Sequence, residues 1–543
     1  MQWQFLSKNV PKTLEDLEQL MLDNRQITDP EAFFEPVKPS QISLKEVGID
    51  PKQVRKAQKR ILQAIEKKEQ ILVFGDYDAD GICATAIMWE ALYDLGAQVL
   101  PLIPHREKHG YGLTWAAIQE LEKRTLPSLI VTVDTGIVAI EAVQDLVAKG
   151  VEVIITDHHQ PEATLPEALA IVHSTAVSGA AVAWFLAREL NELAVQKSLD
   201  LVGLATVSDM MPLQGINRSL VFHGLQAINK LTRLGLKALI KVANLQNKKI
   251  DAGMIGYTLA PRINAMGRLS HGLDALRLLC TTSETRAMAL ATIVDDTNLD
   301  RQQLTTDLMQ IAKQQVIGQK KESLLIAHSA DFHEGVIGLI AGKLANWYAK
   351  PVIVISTRGE VAKASARSVP GVNITELIRT ARQYLLEVGG HPMAAGFGFE
   401  KNKLKELMAH LYEQARESID PLLLQKTMEI ECLLPFTMID EKLVKMIQKF
   451  APFGQANPEP VFALQDVKIA QVQTVGNESQ HLKLTIQATE GGSELTALAW
   501  GKGELAINLN PGQLINVAGV LEANQWRERI TLQLIIKDLQ PKE

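Results

Sequence analysis

Cysteine is scarce in this chain. The three present, Cys83, Cys280 and Cys432, stand alone with no pairing or zinc spacing. That excludes a disulfide-stapled framework and predicts a reducing, cytoplasmic setting. Uninterrupted apolar runs long enough to cross a bilayer are missing, so no membrane partner is expected. The opening residues Met1-Gln2-Trp3-Gln4-Phe5 lack a basic stretch followed by an apolar one, so no export signal is expected either. A surplus of basic charge is also absent, the net charge being −6. A negative total does not advertise a nucleic-acid binder, yet acids gathered at a metal site would lower it without touching local basic surfaces. Neither an internal repeat nor a low-complexity segment is visible.

What is there is 543 residues, 46% of them hydrophobic, enough for three or four packed units. Residues 1–45 are polar with scattered prolines and read as an N-terminal extension carrying a helix or two. From 46 to 225 the pattern alternates. A lysine-rich amphipathic helix at 53–68 precedes a strand at 70–75; 81–95 has helical spacing, and 128–133 and 151–156 are strands. Strands alternating with helices predict a parallel sheet covered on both faces, with ligands at the carboxyl ends of its strands. A helical connector follows over 226–316, ending in one long helix at 283–316. A second α/β domain spans 317–400, and a helical segment 401–455. The stiff junction Asn457-Pro458-Glu459-Pro460 opens a last unit, 456–543. Five short alternating strands there (467–475, 481–487, 494–500, 515–522, 529–536) fit a small OB-like β-barrel. The fold class is therefore α/β: two α/β domains joined by a long helix, plus a C-terminal barrel.

Chemistry concentrates at strand ends. Asp76-Tyr77-Asp78-Ala79-Asp80-Gly81 follows Ile71-Leu72-Val73-Phe74. One such Asp is an ordinary turn residue, and Asp80 could cap the helix after it. Three in alternation exceed what a cap needs, and their mutual repulsion calls for a cation. Asp134 ends Val131-Thr132-Val133-Asp134, and Asp157-His158-His159 ends Ile154-Ile155-Thr156. Asp209 interrupts the apolar stretch 204–211, where a lone buried acid is expensive unless paired or bound to metal. Carboxylates with one imidazole suit two divalent cations, Mn²⁺ or Mg²⁺.

Taken together these motifs resemble the DHH phosphoesterase superfamily. Gly389-Gly390-His391, in Gly-Gly-His-Pro-Met-Ala-Ala-Gly, resembles the end of that superfamily's associated second domain. Three further motifs narrow the resemblance to the RecJ family of single-strand-specific 5′→3′ DNA exonucleases. They are Pro104-His105-Arg106 before Gly110-Tyr111-Gly112-Leu113, then Pro261-Arg262-Ile263-Asn264-Ala265-Met266-Gly267-Arg268, and Ser365-Ala366-Arg367-Ser368. The resemblance runs from about residue 45 to the C-terminus. It implies a DHH-type parallel sheet, a DHH-associated domain and an OB-fold. It implies one ion held by Asp76, Asp78 and Asp134, and a second by Asp80, Asp134, His158 and Asp209. His159, Arg262, Asn264 and His391 would line the scissile phosphate, and Arg106, Ser365 and Arg367, with Arg268, would hold the substrate. The implied substrate is single-stranded DNA with a 5′ end, met in recombination and repair by a monomer, with a single-strand-binding protein and a helicase as partners.

On the barrel, Trp526, Arg527 and Arg529, with Lys483 on a neighbouring strand, are candidates for a single-strand track, although Trp526 equally suits a core plug. In one place the chain departs from the family pattern: between Pro166 and Gly179 it is markedly shorter and lacks an Asn-Pro element. Two other functions stay open. One is a phosphodiesterase for short oligoribonucleotides or cyclic dinucleotides, or a pyrophosphatase; the other is a non-catalytic nucleic-acid-binding scaffold.

Overall fold

The computed structural model describes residues 1–543 except 111, 123–125, 192–195, 527–528 and 543. The apolar runs become buried strands of one five-stranded, wholly parallel sheet. Its order is Gln98–Leu102, Gln70–Gly75, Leu129–Val133, Glu152–Asp157, Ala170–His173. Successive side chains of a strand face opposite sides. Ile71 and Val73 accordingly enter one core, Leu72 and Phe74 the other. Burial on both faces explains why these strands read as continuous apolar runs rather than alternations.

Helix Glu284–Ile317 spans about 50 Å at 1.5 Å per residue. Its first half buries Ala287, Leu290 and Val294 in the first domain's core. Its last turns bury Leu308, Met309, Ala312 and Val316 in the second domain. There a mixed sheet runs in the order Leu385–His391, Ala394–Glu400, Val361–Arg367, Val352–Ser356, Leu325–Ser329. The five C-terminal strands close on themselves: Phe462–Val475 pairs with both His481–Gln487 and Leu514–Trp526, and Glu494–Ala499 meets Arg529–Pro541 in parallel.

Two boundaries differ from the sequence expectation. Residues 1–45 carry the expected helices, Leu14–Asn24 and Pro30–Phe34, but these pack on the far end of the chain. Strand Gln2–Phe5 pairs in parallel with Thr427–Ile430, and helix Leu14–Asn24 buries Leu17, Leu20, Met21 and Leu22 in the barrel's core. The segment 401–455 is not one helical unit. Helix Leu404–Ser418 packs Leu407, Leu411 and Ala415 on the second domain, whereas helix Glu441–Lys449 packs Leu443, Val444 and Ile447 on the barrel. Amphipathic periodicity reports that a face is buried, not which neighbour buries it.

Candidate metal centre

Sheet register sets the site. Gly75 lies beside Val133, and Val133 beside Thr156, so Asp76 and Asp134 fall one residue past their strands, level with Asp157, which ends its own strand opposite His173. Asp134 adopts the left-handed region, φ 59°, which Asp tolerates better than most residues. Two close approaches demand glycine. A Cβ on Gly81 would lie 2.6 Å from the Asp76 Cβ, and one on Gly179 would lie 2.1 Å from Asp134 Oδ1.

The capping alternative falls on Asp78 rather than Asp80. Asp78 Oδ1 accepts from the Gly81 N–H at 2.9 Å and starts helix Ala79–Asp94. Asp80 instead accepts from the N–H groups of Gly179 and Ala180, at 2.7 and 2.8 Å. Those donors open helix Gly179–Leu190, whose N-terminus favours an anion. The shortened loop thus ends in backbone that grips a carboxylate of the site.

Ligand atoms of three groups lie within 4.8 Å of one another: Asp76, Asp78 and Asp134; Asp80, His158 and Asp209; Asp134, His158 and His159. His158 Nε2 is 3.2 Å from Asp134 Oδ1 and 3.8 Å from Asp80 Oδ2, while its Nδ1 is 3.7 Å from Asp209 Oδ2. Burial, then the charge of Asp78, raises Asp76 well above the usual carboxylate range and Asp80 to about 7. Burial and Asp80 likewise raise Asp134 strongly and Asp209 to about 8. Burial, then His159, holds His158 down at about 4, a neutral imidazole able to act as a ligand.

Fit to a cation rests on two atoms. Among the described residues, Asp76 Oδ1 and Asp134 Oδ1 are buried and take no hydrogen bond. Buried carboxylate oxygens without donors are what a divalent ion would satisfy, and oxygen ligands with one imidazole suit Mg²⁺ or Mn²⁺.

Asp157 does other work. Its Oδ1 accepts from His158 and His159 N–H and meets His159 Nδ1 at 2.8 Å, while its Oδ2 accepts from Ile137 N–H. Although burial opposes the charge, this partner lifts His159 to about 9, so it is a cation at neutral pH.

A basic cluster flanks the carboxylates. Arg106 sits over the Tyr77 ring at 5.5 Å. Burial, then Arg106, Arg301 and Arg367, lowers Arg268 to about 10; burial and Arg106 lower Arg367. Arginines that depress one another lie close together. They come from both α/β domains, with Arg367 Nη1 on Ser365 Oγ at 3.2 Å and Arg268 Nη1 on the Gly335 carbonyl at 3.1 Å. Asn264 Oδ1 accepts from the Ala79 N–H at 2.8 Å, tying helix Ala260–Leu269 to the aspartate loop. Arg262 is oriented by Asp295 at 2.8 Å and by the Thr258 carbonyl. His391 is in none of the three ligand groups; it ends an edge strand with its side chain exposed. Tyr111 and Arg527 lie outside the described residues, as do the side chains of Trp526 and Arg529. Lys483 is half-buried on the barrel wall, on a strand whose first residue, His481, packs its ring 4.8 Å from that of Trp500, itself 57% exposed.

Sequence reasoning missed Asp295, Arg301 and Trp500. The first two lie on the connecting helix, where no local pattern marks them; Trp500 follows a strand end, and only the fold exposes it.

Comparison with known proteins gives three consecutive matches: the DHH family, N-terminal domain, over residues 70–206; the DHHA1 domain over 321–417; and the RecJ OB domain over 430–538. The single-stranded-DNA-specific exonuclease RecJ of Bacillus subtilis is 34% identical over 90% of this chain, which spans 63% of that relative's length. Its Escherichia coli counterpart is 31% identical over 90% of both chains. The crystal structure of RecJ in complex with Mn²⁺ from Thermus thermophilus superposes with a TM-score of 0.83 at 29% identity, covering 100% of this chain and 80% of that one. The same protein's Mg²⁺ complex gives 0.78 at 27%, over 100% and 79%.

Proposed function

Because the chain belongs to the RecJ family of single-stranded-DNA-specific exonucleases, we propose that it removes nucleotides from the 5′ end of single-stranded DNA by two-metal phosphodiester hydrolysis. Asp76, Asp78 and Asp134 would hold one ion, and Asp80, Asp134, His158 and Asp209 the other, with Asp134 shared. When bound, such a pair neutralises charge on the phosphodiester and acidifies the attacking water. The observation that carries this reading is the pair of buried oxygens on Asp76 and Asp134 that take no hydrogen bond among the described residues, with Asp134 shared by two of the ligand groups.

The remaining residues bind and orient. Arg106 and Arg367, with Ser365 and Arg268, offer a terminal 5′-phosphate several donors in fork geometry, which lysine lacks. His159, held as a cation by Asp157, presents Nε2–H to a non-bridging oxygen of the scissile phosphate. Arg262 supplies fixed charge there, Asn264 keeps the aspartate loop in place, and His391 closes on the substrate from the second domain. A cleft between two domains favours an unpaired strand over a duplex. On the barrel, Lys483, Trp526, Arg527 and Arg529 would guide the strand. A helicase and a single-strand-binding protein would expose and deliver it to a cytoplasmic monomer. Among the described residues no helix is long and apolar enough to cross a membrane.

Asp134→Ala is the direct test. One preorganised charge-stabilising group is worth about 10²–10³ in rate, and this one serves both ions. Turnover of a long 5′-phosphorylated strand should drop by more than about a thousandfold, with DNA still bound in anisotropy. Activity that survives the change, equals that on blunt duplex, or persists in chelator would sink the reading.

A further inference from the structure

Arg218 has no place in the chemistry above, yet it is a charged side chain only 1% exposed. Among the described residues no carboxylate pairs with it. Its donors all go to main-chain carbonyls: Nε to Phe33 at 2.7 Å, Nη1 to Phe450 at 3.0 Å and Pro452 at 3.5 Å, Nη2 to Ala451 at 2.8 Å and Lys449 at 3.5 Å. The guanidinium also lies 3.7 Å over the Phe33 ring. The Lys449 and Phe450 carbonyls lie at the C-terminal end of helix Glu441–Lys449, where unpaired C=O groups concentrate negative potential, and those of Ala451 and Pro452 follow it directly. A residue of the metal-bearing domain thus caps a helix of the barrel unit.

The contact is extended on both sides. Leu213 N–H donates to the Gln455 carbonyl at 2.7 Å, and Gln214 Nε2 to the Ala456 carbonyl at 3.0 Å. Asn457, fully buried, donates to the Phe450 and Pro452 carbonyls at 2.9 Å each. Arg218 lies on helix Gly215–Asn229, which crosses helix Leu199–Ser208 with Gly224 and Gly203 in backbone contact. Asp209 ends that second helix. Barrel junction, Arg218 and a candidate metal ligand are therefore joined by three rigid pieces. An isolated buried cation is expensive, and main-chain carbonyls from two other segments must be held in place to satisfy it.

We infer that Arg218 is a positioning residue: it fastens the junction 449–457 to the metal-bearing domain, so that a strand held on the barrel runs in register into the metal centre. This rests on the reading of the barrel as a single-strand track. A fastened track raises the effective concentration of the 5′ end at the site for strands long enough to reach both. Short strands gain nothing.

The test compares KM and kcat for 5′-phosphorylated strands of about three and about forty nucleotides, sizes on either side of one OB-fold footprint of about 4–16. Wild type, Arg218→Met and Arg218→Lys are measured as full chains, with long-strand binding in chelator read by anisotropy. For Arg218→Met the long-strand KM and dissociation constant should rise about tenfold, with short-strand kcat unchanged. The lysine, with fewer donors to place, should fall between. A variant that keeps the wild-type length advantage overturns the inference, and so does an equal loss of kcat on both strands, which marks a merely structural role. Should the methionine variant not fold, the lysine variant decides alone by the same criterion. A wild-type chain indifferent to strand length overturns instead the barrel reading on which the inference rests.

Discussion

Asp134 is a carboxyl group whose ionisation is opposed by burial and by the charges of Asp80, Asp78 and Asp76. In the absence of cations the site therefore works against folding, and pH reveals how strongly. Asp80 and Asp209 titrate near 7 and 8 in the folded protein but near the ordinary 3.8 when unfolded. Between those values the folded state binds more protons, so stability falls as pH rises. His159, raised from 6.5 to about 9, acts in the same direction: its contribution is full below 6.5 and gone above about 9. His158, lowered to about 4, acts oppositely, but only between 4 and 6.5. The clean window is pH 6.5 to 9. Melting temperature in chelator should drop across it, and saturating Mn²⁺ or Mg²⁺ should remove most of the slope. A flat chelated profile would contradict the clustered-carboxylate electrostatics. The Asp134→Ala chain, relieved of one buried repulsion, should melt higher than wild type in chelator.

At the scale of elements, the site depends on backbone approaching side chain. Helix Gly179–Leu190 must begin with glycine, since a Cβ there would fall inside Asp134 Oδ1. Gly179→Ala should therefore displace either Asp134 or the N–H pair holding Asp80. Misplacing a group by about 1 Å costs about 10²-fold in rate, so that loss is expected, together with weaker Mn²⁺ binding by calorimetry; wild-type affinity would show that the loop yields. Here legibility divides. The ligands could be read because Asp76, Asp78 and Asp80 stand at a strand end in numbers no cap requires. The parallel sheet could be read because 70–75, 128–133 and 151–156 each carry an uninterrupted apolar run, at 71–74, 129–131 and 153–155. The Gly179 contact could not, because nothing local distinguishes a glycine that opens a helix from one that grazes a carboxylate 45 positions earlier in the chain. Asp295 orients Arg262 from 33 residues away, across a fold the sequence does not display.

For the whole molecule, chain ends far apart in sequence form one unit. Trp3 Nε1 donates to Asp538 at 2.9 Å, Phe33 packs 5.7 Å from Phe450, and Arg25 pairs with Glu431 at 2.7 Å with both side chains at most 5% exposed. Residues 1–45 read as an extension because helix Leu14–Asn24 is polar except on one narrow face, and that face belongs to a core some four hundred residues downstream. Removing residues 1–36 would leave Glu431 without its partner, and breaking a buried pair costs about 3–5 kcal/mol. Losing Leu17, Leu20, Met21 and Leu22 from the core adds about 1.5–3 kcal/mol for each side chain. Together these approach the whole stability of a domain. The deletion should unfold the barrel unit while the parallel sheet persists, since the cores of strands 70–75 and 129–133 draw on neither terminus. Hydrogen exchange should then show strands 462–475 and 514–526 losing protection while 70–75 and 129–133 keep theirs. Uniform loss would mean that the carbonyl cage around Arg218 makes the two units fold as one, and unchanged protection would mean that the N-terminal strap adds nothing to the barrel.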